Sequence, residues 1–123
     1  MNKKKPLYKS IGYALRGFWA ALKKERNLKI HMVFALVAVG VGIYLGMTAV
    51  EWGLVIFAIA SVLSAELFNT AMEQICDEAS GGKHSETVKN CKDISAAAVL
   101  VTAVTALVIG IIILVIPLIK KIF

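Results

Sequence analysis

The sequence predicts an all-α membrane protein, with an N-terminal amphipathic surface helix followed by three transmembrane helices. Three observations carry that expectation. The chain is 59% hydrophobic over 123 residues, with mean hydropathy +0.76, which is too apolar for a soluble domain of this length. Residues 30–50, 52–72 and 94–119 form apolar runs, each long enough to cross a hydrocarbon core that takes about 20 residues. Positive charge is also lopsided, because residues 1–29 hold nine of the 14 Lys and Arg.

The whole chain, 1–123, is expected to be one integral-membrane unit. Residues 1–27 form a basic tail and surface helix, 28–50 the first span and 52–78 the second. Residues 79–92 form a loop and 93–119 the third span. Within 7–24, Leu7, Ile11, Leu15, Phe18, Trp19 and Leu22 recur at helical spacing with Lys9, Arg16, Lys23 and Lys24 between them. Such a helix suits the membrane interface, and its plainest role is that of an anchor. Glu25 is the only acid in the first 50 residues. Amid Lys23, Lys24, Arg26 and Lys29, position alone reads it as a surface ion pair. Asn27 is a candidate cap for the next helix.

The first span carries no charge unless at His31, the second only at Glu66, and the third none. No cleavage site follows the first apolar run, so no leader is expected to be removed. Lysines 83, 89 and 92 after the second span, with the basic N-terminus, put both in the cytoplasm by the positive-inside rule; Lys120 and Lys121 then fall outside. The net charge of +6 suits anionic headgroups, and no nucleic-acid motif accompanies it. Cys76 and Cys91 lie near the cytoplasmic end and are expected as reduced thiols without metal spacing. Pro117 is expected to end or kink the third helix, whose run of Ala with Thr102 and Thr105 permits close packing.

The informative stretch is "SAELFNTAMEQICDEAS". Glu66, Asn69, Glu73 and Asp77 are spaced three, four and four apart, which puts them on one helical face. A buried acid near the interface costs on the order of 1–3 kcal/mol unless paired, hydrated or protonated. Hydrogen bonds between helices are the plain explanation. The alternative is chemistry. Carboxylates at a membrane surface, the adjacent glycines 81 and 82, and the dipeptide Lys92-Asp93 suit a magnesium nucleotide. Mg²⁺ takes one or two carboxylates while phosphates supply further ligands, a lysine neutralises phosphate, and another carboxylate can take a hydroxyl proton. The Walker sequence and the protein-kinase Gly-rich loop are absent. Acids lining a cation or proton pathway are a further reading, but one that leaves the Gly-Gly loop and Lys92-Asp93 without a purpose.

"ELFNTAMEQICD" followed by "KDISAAAVL" resembles the small integral-membrane diacylglycerol kinase family of bacteria, which includes the undecaprenol kinases. The family pattern E-x-x-N-[ST]-A-x-E-x-x-x-D, then K-D-x-x-[AS]-[AG]-A-V, is met at Glu66, Asn69, Thr70, Ala71, Glu73, Asp77, Lys92, Asp93, Ala97 and Val99. The resemblance covers nearly the whole chain. It implies a homotrimer with active sites between subunits at the cytoplasmic interface, where the γ-phosphoryl of MgATP passes to a membrane lipid alcohol. It also implies roles. Glu66 would be the general base, oriented by Asn69. Glu73 and Glu25 would hold Mg²⁺ on the ATP phosphates, which replaces the surface-pair reading of Glu25. Lys92, Asp93, Asp77 and the loop at Gly82, Lys83 and His84 would meet the nucleotide, as would Tyr13. Diacylglycerol-type members carry an arginine where this chain has Pro6, and Lys5 or Lys9 is the expected substitute. The loop is one residue longer than theirs, and His84 taken alone reads as a solvated loop residue. The missing arginine and the "DISAAAVL" variant resemble the isoprenoid-using branch and favour undecaprenol over diacylglycerol as the lipid.

Overall fold

A computed structural model describes residues 4–123, and every element among them is helical. In order these are α1 (Leu7–Lys24), α2 (Arg26–Leu45), α3 (Ala49–Ser80), α4 (Glu86–Gly110), a π-helical turn (Ile111–Val115) and α5 (Ile116–Ile122). The last three run on as one helix. Among the described residues three helices are long and apolar enough to cross a membrane: Arg26–Leu45, Ala49–Ser80 and Glu86–Ile122.

Helix α1 stops where Glu25 turns extended (φ −97°, ψ 118°), although its N–H still donates to the Ala21 carbonyl at 2.8 Å. Glu25, not Asn27, therefore occupies the N-cap of α2, and its side chain makes no capping hydrogen bond. The expectation for Asn27 fails because α2 already begins at Arg26, its first turn anchored by the wholly buried Leu28.

The α2–α3 reversal is tight. Gly46 takes φ +68°, a conformation that costs other residues strain. Its N–H and that of Met47 both bond the Gly42 carbonyl, at 3.1 and 3.4 Å. A Cβ on the buried Gly42 would run into the Met47 methyl and come within 3.0 Å of the Trp52 ring. Thr48 and Glu51 then form a reciprocal capping box, with bonds of 2.9 and 3.2 Å. That box starts α3 at Ala49, so Val50, expected to end the first span, belongs to the second.

Helix α3 has 32 residues, about 48 Å at 1.5 Å per residue, against a hydrocarbon core of about 30 Å. Its last turns must therefore stand outside the apolar layer. Val55, Ala58, Val62, Glu66 and Thr70 are its buried stripe. Val55 joins Ile113 and Leu114 in the core, with Ala38, Val41 and Leu45 of α2 packed on them. The most extensive helix pairing is α3 with α4.

The loop between them is much shorter than the expected 79–92. Gly81 and Gly82, at φ +59° and +80°, reverse the chain. Ser85 accepts a 3.4 Å bond from the Val88 N–H and starts α4 at once. Pro117 does not end the last helix either. It lacks an N–H, and its ring would crowd the carbonyl one turn back. The ladder widens into the π turn just before it, and the helix continues to Ile122. At that end Lys121 Nζ donates to the Tyr44 carbonyl at 3.0 Å and lies 4.4 Å from its ring centroid, tying α5 to the end of α2. Thr102 and Thr105 bond carbonyls within their own helix, which leaves that face apolar.

Candidate active site

The buried stripe of α3 becomes polar as it approaches the helix end. Val55, Ala58 and Val62 are followed at the same spacing by Glu66, only 2% exposed. One helical turn at a time the face then opens to water, with Asn69 and Glu73 half-buried and Asp77 exposed. About 20 residues of helix span the core, so a span beginning at Ala49 ends near Phe68. Glu66 therefore sits at the edge of the hydrocarbon and the other three beyond it. The periodic spacing thus produces a graded channel of oxygen atoms from core to solvent.

Two of those oxygens lack a hydrogen-bond donor among the described residues: Glu66 Oε1 and Asn69 Oδ1, both buried. A buried polar atom left without a partner costs about 1–3 kcal/mol, so each of the two calls for a donor. Thr70 donates to the Glu66 carbonyl at 2.9 Å, which fixes the backbone and leaves the carboxylate free. His31 of α2 brings Nε2 to 3.2 Å from Glu66 Oε1, within ion-pair reach but not aligned as a hydrogen bond. Sequence reasoning gave His31 no role. The available signal was that it is the one side chain in the first apolar run able to carry charge near neutral pH, and an ionisable residue inside a membrane segment marks a functional site by default.

Glu73 lies two turns beyond Glu66 on α3, and Glu25 stands at the α1–α2 junction. No three His, Cys, Asp or Glu side chains form a complete metal cage among the described residues. Glu25 and Glu73 are carboxylates, the type of donor that Mg²⁺ takes one or two of while phosphate oxygens complete its shell.

On the water side, Lys92 Nζ donates to Asp77 Oδ1 at 2.6 Å across the α3–α4 junction, and its charge is also felt by Glu73. Asp93 does not pair with its neighbour Lys92 but accepts from Lys89 at 2.9 Å, one turn back. Gly82, Lys83 and His84 are exposed, and His84 contacts Glu86 at 3.1 Å. Tyr13, on α1, is flanked by two cations, with Lys5 Nζ 4.8 Å and the Arg16 guanidinium 5.3 Å from its ring centroid. Lys5 thus holds a place beside Tyr13 in this chain, which has Pro6 where an arginine was expected. Cys76 is buried and Cys91 exposed, and both are free thiols.

Several known proteins are similar to this chain over most of its length. The family model described as prokaryotic diacylglycerol kinase matches residues 12–114. An undecaprenol kinase of Bacillus subtilis is 34% identical over 112 residues, covering 91% of this chain and 90% of its own. A diacylglycerol kinase of Escherichia coli K12 is 30% identical over 102 residues, 83% of each chain. One from Pseudomonas aeruginosa is 32% identical over 103 residues, covering 82% of this chain and 83% of its own.

Proposed function

The chain belongs to the prokaryotic diacylglycerol kinase family and is a membrane lipid kinase; from that premise we propose that it phosphorylates undecaprenol, using MgATP, at the cytoplasmic face of the bacterial membrane. The observation that carries the chemistry is the buried carboxylate of Glu66 at the head of a polar face that opens to water. The choice of lipid is supported by the undecaprenol kinase relative, which matches over nine-tenths of both chains.

In this reading the lipid hydroxyl approaches from the hydrocarbon beside Glu66, and ATP approaches from water over the loop and the lower half of the polar face. Glu66 accepts the hydroxyl proton as the oxygen attacks the γ-phosphorus. The bond from that phosphorus to the β–γ bridging oxygen breaks, and ADP leaves with the electron pair. Protein contributes alignment and charge neutralisation more than covalent help. Asn69 orients Glu66 and the phosphoryl group. Lys92, Asp77, Asp93 and the backbone and side chains of Gly82, Lys83 and His84 contact the nucleotide, with Tyr13 closing over it from α1. Glu25 and Glu73 would hold Mg²⁺, which when bound supplies charge neutralisation on the phosphates.

Helix α1 lies along the cytoplasmic interface with Lys9, Arg16, Lys23 and Lys24 towards the headgroups, which sets the orientation. The assembly is a homotrimer with sites between subunits. Support for it comes from the family resemblance.

Diacylglycerol is the second reading, favoured by the relatives of 30–32% identity that carry that activity in their names. Purified protein supplied with MgATP and either lipid in parallel vesicles decides between them. Faster turnover of undecaprenol supports the proposal, and phosphatidic acid as the sole product overturns it.

A further inference from the structure

We infer that His31 is a positioning residue for the reaction, holding the Glu66 carboxylate in the orientation that takes the lipid hydroxyl proton. The inference rests on the lipid kinase reading above and adds a residue to it.

The geometry is specific. Glu66 is buried on the inward face of α3, and the ring of His31 on α2 is the nearest group able to donate to it, 3.2 Å from Nε2 to Oε1. Their side chains are 25% and 3% exposed, so the imidazole has room to turn and the carboxylate does not. A small rotation of the ring aligns Nε2–H with Oε1, and catalytic hydrogen bonds are often loose before substrate is bound. With Oε1 engaged, the carboxylate plane is fixed and the other oxygen is left for the acceptor's proton.

His31 also stands at a boundary. It lies on the wall of a cavity of about 560 Å³ between α2, α3 and the final helix, otherwise lined by apolar residues such as Phe34, Val62, Leu107 and Leu118. Val62 is one turn before Glu66 on the same face. A lipid chain in that cavity would therefore bring its headgroup end to the His31–Glu66 contact. That is where a hydroxyl must be held if Glu66 is to reach it. Merely neutralising a buried acid is the competing role, and it predicts an effect on stability but none on turnover in folded protein.

The test compares wild-type protein with His31→Leu, His31→Gln and His31→Asn, each in vesicles with MgATP and undecaprenol or diacylglycerol. The amide of Gln reaches nearly as far as Nε2 and donates, Asn donates but falls short, and Leu cannot donate. His31→Leu is expected to lower kcat by about 10–100-fold, the size of one charge-assisted hydrogen bond, with the KM for ATP unchanged. His31→Gln should recover most of that loss and His31→Asn little of it. Unchanged kcat in folded His31→Leu overturns the inference, as does a Gln variant no better than Leu. If the Leu variant does not fold, the Gln and Asn variants decide, and equal rates for those two overturn it. A wild type that phosphorylates neither lipid brings down the kinase reading and this inference with it, whereas an active wild type with insensitive variants brings down this inference alone.

Discussion

Lys92 Nζ donates to Asp77 Oδ1 at 2.6 Å, joining the exposed end of α3 to the first turns of α4 across 15 residues of sequence. The side chains are 36% and 68% exposed, and ion pairs that wet contribute about 0–1 kcal/mol. The contact is therefore a weak brace for the fold. In the proposed nucleotide site the role of Lys92 is to present an ammonium to a phosphate.

Substitution of Lys92 should consequently divide function from stability. Lys92→Met is expected to raise the KM for ATP by about tenfold or more, the value of one hydrogen bond to a charged group. Thermal stability should hardly change. Kinetics against ATP concentration and a melting curve check both halves, and an unchanged KM for ATP removes Lys92 from the nucleotide site.

Glu73→Gln keeps the shape of a half-buried side chain and removes its charge. It should raise the Mg²⁺ concentration needed for half-maximal rate by on the order of tenfold, since affinity for hard cations follows the number of charged ligands. Rates titrated with Mg²⁺ at fixed ATP report this directly. An unaltered Mg²⁺ dependence assigns Glu73 some other task.

Gly82 sits at φ +80° with nothing within 4 Å of where a Cβ would be, so the cost of a side chain there is backbone strain alone. Gly82→Ala should destabilise the α3–α4 reversal by about 1–2 kcal/mol, read as a lower melting temperature or faster amide exchange in residues 81–85. Stability equal to that of the parent would show that the loop relaxes into another turn.

Much of this arrangement was legible in the sequence, and the part that was not has a common physical cause. Hydropathy and charge sufficed for the three spanning helices, because a membrane allows few alternatives to an apolar helix. The spacing of Glu66, Asn69, Glu73 and Asp77 placed them on one face because helical periodicity is local. What stayed hidden depends on packing between helices. His31 meets Glu66 only through the approach of α2 to α3, and Lys92 selects Asp77 over the adjacent Asp93 only once the Gly81-Gly82 reversal sets the two helices side by side. The capping box at Thr48 and Glu51 was readable as a T-x-x-E pattern. The widening ahead of Pro117 was not, because a proline can equally end a helix or be absorbed by it.

Glu66 is the point on which the account turns, and Glu66→Gln tests it most directly. The substitution preserves size and hydrogen bonding while removing the capacity to take a proton. Turnover of lipid alcohol by purified Glu66→Gln protein in vesicles with saturating MgATP should fall by on the order of 10²–10⁴-fold, the usual contribution of a general base, with the melting temperature at or above that of the parent. Turnover within about tenfold of the parent, less than a general base contributes, would contradict the assignment of Glu66 as the proton acceptor.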